Sequence, residues 1–373
     1  MMKEELVQVM DRSERALAQK VIQDSLRVTE SDIVVINTWD WTSSLASTLA
    51  LECFRAGADT LMTLYTDDFY FEHMRILSED DLRQTSRHCL ELADYASVEI
   101  FLGGPQNHSR FKDVPASKMA ATAQGEKAHM EKNRQRRIRT AILEFSIVHP
   151  QVAKIYRFDY AKWKRTVRSA VMIDYGKVSK FGARLASTLE QGHKIHITQG
   201  RDTDLSLEIA GRVPYIFDGV IDERDIEQGQ VTVSLPSGTV EIAPIETTAN
   251  GRVRFDMSLP RSGRLVQGMS WRLEDGALTE FNAERNVGAV RDRWQMATGD
   301  KGRIGSLILG INPQAKLGFN IDTLAQAAVS IGIGRNKHLG GRNDTDFAVA
   351  GTLSKASVEL NGTPIIRNGR YIT

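Results

Sequence analysis

The residues best suited to chemistry in this sequence lie in one glycine-rich stretch, IGIGRNKHLGGRND, at 331–344. It places three cations, Arg335, Lys337 and Arg342, among glycines. Charged side chains and the exposed backbone N–H groups of such a loop can bind a carboxylate or a phosphate. We therefore predict that these three residues bind substrate. A solvated basic loop is the alternative that the same residues allow.

Acid–base chemistry needs groups that exchange protons near neutral pH, and three residues are candidates. His338 is the one histidine of the C-terminal half outside the segment GHKIHIT, and imidazole titrates close to pH 7. Asp346 follows the loop. Glu241 shares one face of a predicted strand with Thr239, because residues two apart on a strand point the same way. We predict that His338, Asp346 and Glu241 are catalytic; a surface histidine without a catalytic role is the alternative.

The first half of the chain alternates strand and helix patterns. SDIVVINTW, WTSSLASTLALECFRAGA and TLMTLYT form a strand–helix–strand unit, and DDLRQTSRHCLELADYA followed by SVEIFLGG repeats the scheme. This predicts an α/β fold with a parallel sheet and crossover helices. The stretch 117–146 predicts one long helix, and DYGKVSKFGARLASTLEQ predicts another.

The second half changes to short strands separated by glycine-rich turns. TDLSLEIAGR, QVTVSLPSGTVEIAPIE, NGRVRFDMSL and GRLVQGMSWRLEDGALTEF are typical of antiparallel sheet. The chain has 373 residues, which is long enough for two cores. We therefore predict an α/β domain with long helices at 1–192 and a mainly antiparallel β domain, which carries the cleft, at 193–373.

Composition and motifs narrow the classes of partner. The 48 basic residues nearly balance the 47 acidic ones, so we expect no nucleic-acid binding. No apolar run reaches the length of a membrane span, and MMKEELVQVMDRSER begins as an acidic amphipathic segment, so we expect a cytoplasmic protein. DWTSSLAS after the first strand lacks the dinucleotide glycines. Cys53 and Cys89 have no metal-site spacing, which favours buried free thiols.

Five segments appear in the order of a known family pattern. They are TDLSLEIAGR, LPSGTVEIAPIETTANG, RIGSLILGINPQAK, AAVSIGIGRNKHLGGRND and ASVELNGTPIIRNGRY. Together they resemble the thermophilic metallo-aminopeptidases, the leucyl aminopeptidase or aminopeptidase T group, which is also similar to the 2,5-dihydroxypyridine dioxygenases. The resemblance covers most of 170–373 and, more loosely, the α/β half. It implies an aminopeptidase-T-like C-terminal domain, a hydrolase ancestry and a homodimer.

The resemblance also implies where a metal would be held. The family pattern has a glutamate after a Pro-x-Gly turn, a glutamate after Ile-Gly, a histidine before the glycine-rich loop and a closing His-x-Asp pair. The matching positions here are Thr239, Ser306, Ser330, Ala348 and Ala350. A catalytic divalent site needs about three protein ligands, which hydroxyls and methyls do not supply. We therefore predict no metal and no cofactor, with Thr239, Ser306 and Ser330 lining a substrate pocket.

Three functions remain open on the sequence. The first is a metal-independent enzyme, of hydrolase or lyase type, acting on a small carbonyl- or carboxylate-bearing, nitrogen-containing molecule. The second is a non-catalytic ligand-binding or structural homodimer, with Glu246 in a structural hydrogen-bonding role.

The third is a metallo-hydrolase or ring-cleaving dioxygenase with a displaced metal site. The donors available for it are Glu241, Asp344, Asp346 and His338. Moving two residues along a strand shifts a side chain by about 6.6 Å, whereas a metal–ligand bond is about 2 Å, so such a site must form beside the original position.

Overall fold

The computed structural model describes residues 12–372. Its contacts divide the chain into two compact units. The α/β unit contains the residues up to Asn107, Ala121–Val152 and Gly219–Pro236. The β unit contains His108–Ala120, Ala153–Asp218 and the residues from Ser237 onward.

The α/β unit is built on a parallel sheet, as predicted. Within the described residues this sheet has five strands in the order β2-β1-β3-β4-β8. The strands are β1 Ile33–Trp39, β2 Asp59–Tyr65, β3 Val98–Leu102, β4 Arg139–Leu143 and β8 Thr232–Leu235. The helices are Arg12–Gln19, continued by the π-helical turn Lys20–Ser25, then Ser43–Arg55, Asp67–Ile76, Glu79–Leu82, Arg87–Tyr95, Lys127–Gln135 and Glu223–Glu227.

The apolar spacing of helix Ser43–Arg55 explains why the sequence pattern predicts the first crossover helix. Ala46, Leu49, Ala50 and Cys53 are buried on one helical stripe with spacings of three and four residues. The chain then leaves the helix through Gly57, whose φ of +86° is left-handed. Cys53 is a buried free thiol, as expected, whereas Cys89 is half-buried.

Two segments fold differently from the sequence pattern. The predicted helix 117–146 consists of the helices Ala116–Gly125 and Lys127–Gln135, followed by β4. A left-handed residue, Arg137, with φ of +57°, separates the second helix from the strand. Ala141 and Leu143 are buried in β4, so sheet pairing overrides the helical propensity of this stretch.

Strand β8 is the second difference. The sequence pattern assigned it to the antiparallel domain, but it pairs in parallel with β4. The helices between residues 153 and 192 lie in the β unit. The two compact units are therefore not separated at a single boundary between residues 192 and 193. The parallel sheet and the antiparallel sheets are those predicted.

The β unit contains antiparallel sheets. Among the described residues, one sheet has the order β14-β13-β10-β6-β5-β18-β19-β20, a second has β17-β16-β15-β9-β7, and β11 and β12 form a hairpin. The strands are β5 Lys194–Gln199, β6 Thr203–Glu208, β7 Tyr215–Phe217, β9 Thr239–Ile242, β10 Asn250–Arg254, β11 Leu259–Arg261, β12 Arg264–Val266, β13 Ser270–Glu274, β14 Ala277–Asn282, β15 Ile304–Gly310, β16 Val329–Gly334, β17 Ala348–Leu353, β18 Ser357–Leu360, β19 Thr363–Arg367 and β20 Arg370–Tyr371.

The helices that belong to the β unit are Tyr160–Val171, Tyr175–Glu190 and Gly288–Met296; Ala116–Gly125 and Pro150–Tyr156 include residues assigned to each unit. Within residues 12–372, no helix is both long enough and apolar enough to cross a membrane.

The β17-β16-β15-β9-β7 sheet has one strongly apolar face. Val240, Leu307 and Ile331 are fully buried on it. Helix Tyr175–Glu190 packs here through Gly182, where a Cβ would lie 2.7 Å from Cγ2 of Ile216. This face forms the core of the unit, and the opposite face carries the candidate site.

Candidate functional site

The opposite face, which we call the polar face, is defined by strand register. Directly opposed residues of antiparallel strands share a face. Glu241 opposes Ile308, Ile308 opposes Ser330, and Ser330 opposes Thr352. The pairs Ser306–Gly332, Gly332–Ala350 and Gly334–Ala348 continue the same face. The polar face therefore brings together Thr239, Glu241, Ser306, Ser330, Ala348 and Ala350.

Glu241 is the acidic side chain at the centre of this face. Thr239 Oγ1 donates a hydrogen bond to Glu241 Oε1 at 2.9 Å. Burial raises the pKa of Glu241 to about 7, against the smaller opposing effect of the Thr239 hydroxyl. The side chain is half-buried and keeps some accessible surface. Glu241 can therefore both donate and accept a proton near neutral pH.

The two predicted substrate-binding serines have different environments. Ser330 is fully buried, and its Oγ lies 2.8 Å from Oγ1 of Thr352 on the neighbouring strand. Ser306 is half-buried, and its Oγ lies over Gly332, where a Cβ would come within 2.3 Å. Ser306 therefore has accessible surface on the polar face, whereas Ser330 contributes a cross-strand hydrogen bond to the sheet.

The glycine-rich loop, residues 335–344, is anchored by Glu246. Glu246 Oε1 accepts hydrogen bonds from Asn336 Nδ2 at 3.0 Å and from the backbone N–H of Arg342 at 2.7 Å. Its Oε2 pairs with Arg212 Nη2, and Arg212 also donates to the carbonyl of Gly340. Burial opposes ionisation of Glu246, but these donors hold its pKa below the ordinary value.

The cations of the loop are not equivalent. Lys337 Nζ lies 2.8 Å from Asp344 Oδ2, so its charge is paired inside the loop. Arg335 and Arg342 are exposed. Surrounding protein and the Arg335 guanidinium lower the pKa of His338, which favours the neutral imidazole.

The predicted catalytic residues lie on separate elements. Glu241 is on β9, His338 is in the turn Lys337–Leu339, and Asp346 precedes β17. Asp346 Oδ1 accepts a hydrogen bond from the backbone N–H of Thr298 at 3.3 Å. The catalytic roles of all three residues stay predictions. Of the three, Glu241 is the one whose pKa is raised to about 7.

Sequence reasoning missed two neighbours of the site. Tyr215 opposes Glu241 on β7, and its hydroxyl lies 3.7 Å from the place where a Cβ on Gly340 would be. Arg212 holds the loop through Glu246. Strand β7 has only three residues, so it carries no local periodicity, and its pairing with β9 had no sequence signal.

The donors on the polar face do not fit a divalent metal. The positions that the family resemblance assigns to metal ligands carry hydroxyl or methyl groups, and burial raises the pKa of Glu241 to about 7, which weakens it as an anionic ligand at neutral pH. Within the part of the chain that the structure describes, no group of three His, Cys, Asp or Glu side chains is placed to hold a metal ion. The displaced set Glu241, Asp344, Asp346 and His338 does not form such a group among the described residues.

The fold belongs to a metallopeptidase-like class of protein. A family model described as thermophilic metalloprotease (M29) matches residues 10–305, and the chain belongs to this family. The matched segment ends immediately before Ser306.

Individual relatives agree with this assignment. Aminopeptidase T of Thermus aquaticus is 27% identical over 206 residues, which are 48% of this chain and 49% of that protein. The chain therefore spans about half the length of the curated relative it matches.

Two solved structures share the fold. AmpT from Thermus thermophilus superposes with a TM-score of 0.78 at 18% identity, covering 97% of this chain and 99% of that one. The 2,5-dihydroxypyridine dioxygenase from Pseudomonas putida KT2440 has a TM-score of 0.64 at 14% identity, covering 96% and 97%. The predicted fold, an α/β domain joined to an aminopeptidase-T-like β domain, is confirmed.

Proposed function

We propose that this protein is a metal-independent enzyme of aminopeptidase T fold, and that Glu241 transfers protons to and from a small carbonyl- or carboxylate-bearing, nitrogen-containing substrate. One observation supports this most: a carboxyl group whose pKa is raised to about 7 lies on the polar face, where the family resemblance also places the metal-ligand positions. A carboxylic acid tuned to neutral pH is suited to general acid–base catalysis.

In its hydrolytic form, the proposed reaction needs only water as a co-reactant. The Glu241 carboxylate takes a proton from water as the water oxygen bonds to the substrate carbonyl carbon. The resulting acid returns the proton to the nitrogen as the carbon–nitrogen bond breaks. In the lyase form, the same carboxylate takes a proton from the carbon beside the carbonyl, the bond from the next carbon to nitrogen breaks as the carbon–carbon double bond forms, and the Glu241 acid returns the proton to the departing nitrogen. Thr239 orients the carboxyl group through its hydrogen bond.

The glycine-rich loop supplies the substrate-binding part of the proposal. Arg335 and Arg342 are exposed cations and would bind a substrate carboxylate, while Lys337 is already paired with Asp344. His338, with its lowered pKa, would act as a neutral hydrogen-bonding partner or second proton carrier. Ser306 would contact the substrate from the polar face.

The test is a turnover screen of the purified chain against amides, cyclic imides and hydroxypyridines, with and without chelator. We expect activity that persists in chelator and falls by about 10²–10⁴-fold in Glu241→Gln, because the amide keeps the shape but cannot exchange the proton. Glu280→Gln, on the exposed surface of β14, is the matched control and should retain full activity.

Three outcomes would reject the proposal of a metal-independent enzyme that uses Glu241. They are no turnover and no binding across the panel, full activity in Glu241→Gln, and activity that disappears in chelator and returns with one equivalent of metal per chain. The first would favour the non-catalytic alternative. The third would restore a metal mechanism.

We also propose that the chain forms a homodimer, and the edge strand β2 supports this. Leu61 and Leu64 are 48% and 62% exposed, on opposite faces of the strand, and no charged residue lies between Thr60 and Thr66. Edge strands of monomers are usually protected by charges or proline. A second copy of the uncharged segment that follows Asp59 in this strand would satisfy both its backbone groups and its apolar side chains.

We expect Leu64→Lys to shift the protein from dimer to monomer in light scattering, because a charge would be buried at the pairing edge. Met130→Lys, on an exposed helix position, is the control and should leave the mass unchanged. A wild-type monomer at micromolar concentration would contradict this proposal.

A further inference from the structure

The phenol of Tyr215 is a group of the polar face that the proton-transfer proposal does not use. Tyr215 lies on β7, the edge strand of its sheet, directly opposite Glu241 on β9. Opposed residues of antiparallel strands share a face, and their Cβ atoms are about 4.5–5.5 Å apart. The side chain of Tyr215 therefore begins beside that of Glu241, at the border of the polar face.

The hydroxyl of Tyr215 ends beside the glycine-rich loop. It lies 3.7 Å from the position that a Cβ on Gly340 would occupy. Among the described residues, apart from the chain neighbours of Gly340, no other heavy atom comes within 4 Å of that position. The space between the loop and the hydroxyl is therefore not filled by packing.

Contacts that do not involve the hydroxyl hold the loop at this distance. Arg212 Nη1 donates to the carbonyl of Gly340 at 3.2 Å, and Arg212 Nη2 pairs with Glu246. Arg212 precedes Tyr215 by three residues in the same segment of chain. One short segment thus fixes the loop and also places the phenol.

The Tyr215 hydroxyl has no acceptor in the protein. Within residues 12–372 it forms no hydrogen bond, and the residue is half-buried. A phenol is both a donor and an acceptor, and tyrosine hydroxyls that are removed from water usually have a partner. A donor held beside unfilled space is available to a bound molecule.

We propose that the Tyr215 hydroxyl donates a hydrogen bond to the carbonyl oxygen of the substrate on which Glu241 acts, with the carbonyl in the space between Tyr215 and Gly340. This inference rests on the proposed function, because it assigns a second group to the same reaction. As the water oxygen bonds to the carbonyl carbon, one electron pair of the carbonyl double bond moves to the carbonyl oxygen. Tyr215 keeps its proton and donates more strongly to this oxyanion than to the neutral carbonyl.

The same contact serves the lyase form. Loss of the proton beside the carbonyl also moves negative charge to the carbonyl oxygen, and this charge returns to carbon as the bond to nitrogen breaks. A contact accelerates a reaction only if it strengthens in the transition state. The group expected at Tyr215 is therefore the neutral reacting carbonyl of an amide, imide or ketone, and not a carboxylate, whose charge does not change.

The experiment compares steady-state kinetics of the full chain and of Tyr215→Phe on acetamide, succinimide and hydantoin. On the probes that the wild type converts, we expect kcat to fall by about 10²–10³-fold, as for removal of one oxyanion donor, with KM little changed. The melting temperature should stay at the wild-type value, since the hydroxyl forms no hydrogen bond within the described residues. Tyr95→Phe, at a side chain 73% exposed in the α/β unit, is the matched control and should keep wild-type kinetics.

Gly340→Asn tests the unfilled space separately. Gly340 has a φ of +71°, a left-handed conformation that asparagine tolerates better than other side chains. The new side chain would occupy the space beside Tyr215, so KM should rise by about tenfold or more. Gly362→Asn is the matched control, because Gly362 has a φ of +81° and open space around it; its KM should equal that of the wild type.

The outcomes separate this inference from the proposed function. Full activity of Tyr215→Phe while Glu241→Gln is inactive would overturn the role of Tyr215 and leave the proposed function standing. A higher KM with unchanged kcat in Tyr215→Phe would also overturn it, because the contact would then be equal in ground and transition states. An unchanged KM in Gly340→Asn would overturn the placement of the carbonyl. If the wild type converts none of the probes, the proposed function fails for this substrate class and the inference fails with it.

Discussion

Glu246→Ala is expected to lower the free energy of unfolding by about 3–5 kcal/mol, the range for removing one partner of a buried ion pair. The substitution leaves the Arg212 guanidinium without its carboxylate, and it also removes the acceptor for Asn336 and for the backbone N–H of Arg342. Both side chains of the pair are largely buried, at 15% and 11% exposure. Urea denaturation at neutral pH measures the loss.

Glu284→Ala is the matched control for this prediction. Glu284 pairs with Arg254 on the surface, where both side chains are exposed, so its removal should cost less than about 1 kcal/mol. Hydrogen exchange adds a local readout, since Glu246→Ala should speed exchange at residues 336–343 selectively. Equal losses in the two variants would show that Glu246 does not anchor the glycine-rich loop.

Glu241→Gln is expected to stabilise the protein above pH 7 and to have little effect near pH 5. The pKa of Glu241 rises from an ordinary value of 4.5 to about 7 on folding, so the folded state holds the proton more tightly than the unfolded state. The contribution of protonated Glu241 to the free energy of unfolding is fully present below about pH 4.5. It is lost as the pH rises to about 7, and the loss is up to about 3 kcal/mol. Glutamine resembles the protonated acid, so the Glu241→Gln variant does not lose this stability as the pH rises.

The measurement compares urea midpoints of the wild type and Glu241→Gln at about pH 5 and about pH 8. The difference in unfolding free energy should grow from under about 1 kcal/mol to about 3 kcal/mol across this range. Glu280→Gln, which is exposed on β14, should show no such pH dependence. A difference that stays constant with pH would mean that Glu241 ionises normally in the folded protein.

Local patterns predicted those elements whose burial follows their own periodicity. Helix Ser43–Arg55 has a regular apolar stripe, and β1 is a continuous β-branched run, as buried parallel strands are. Strands β4 and β8 were misassigned because their identity depends on partners distant in sequence: β8 pairs with β4 across about ninety residues of chain. No local signal reports such a pairing.

The candidate site shows the same division. Thr239 and Glu241 were predicted to share a face, because a two-residue period is local, and the structure adds the hydrogen bond between them. The pKa of Glu241 depends on protein packed around it from other strands, and the contacts of Arg212 with Glu246 join residues 34 apart. The pKa of Glu241 and the contacts of Arg212 therefore depend on burial and long-range pairing, which a local sequence pattern does not report.

The alternation of the β17-β16-β15-β9-β7 sheet has a consequence for how such a protein can change its chemistry. Every second residue, such as Val240, Leu307 and Ile331, packs into the core, while Glu241 and Ser306 on the polar face keep accessible surface. The apolar core and the accessible polar side chains therefore occupy alternating positions within the same strands. An exchange of polar-face residues can replace one kind of catalysis by another while leaving the scaffold intact, so kinship in fold is a weak guide to the reaction.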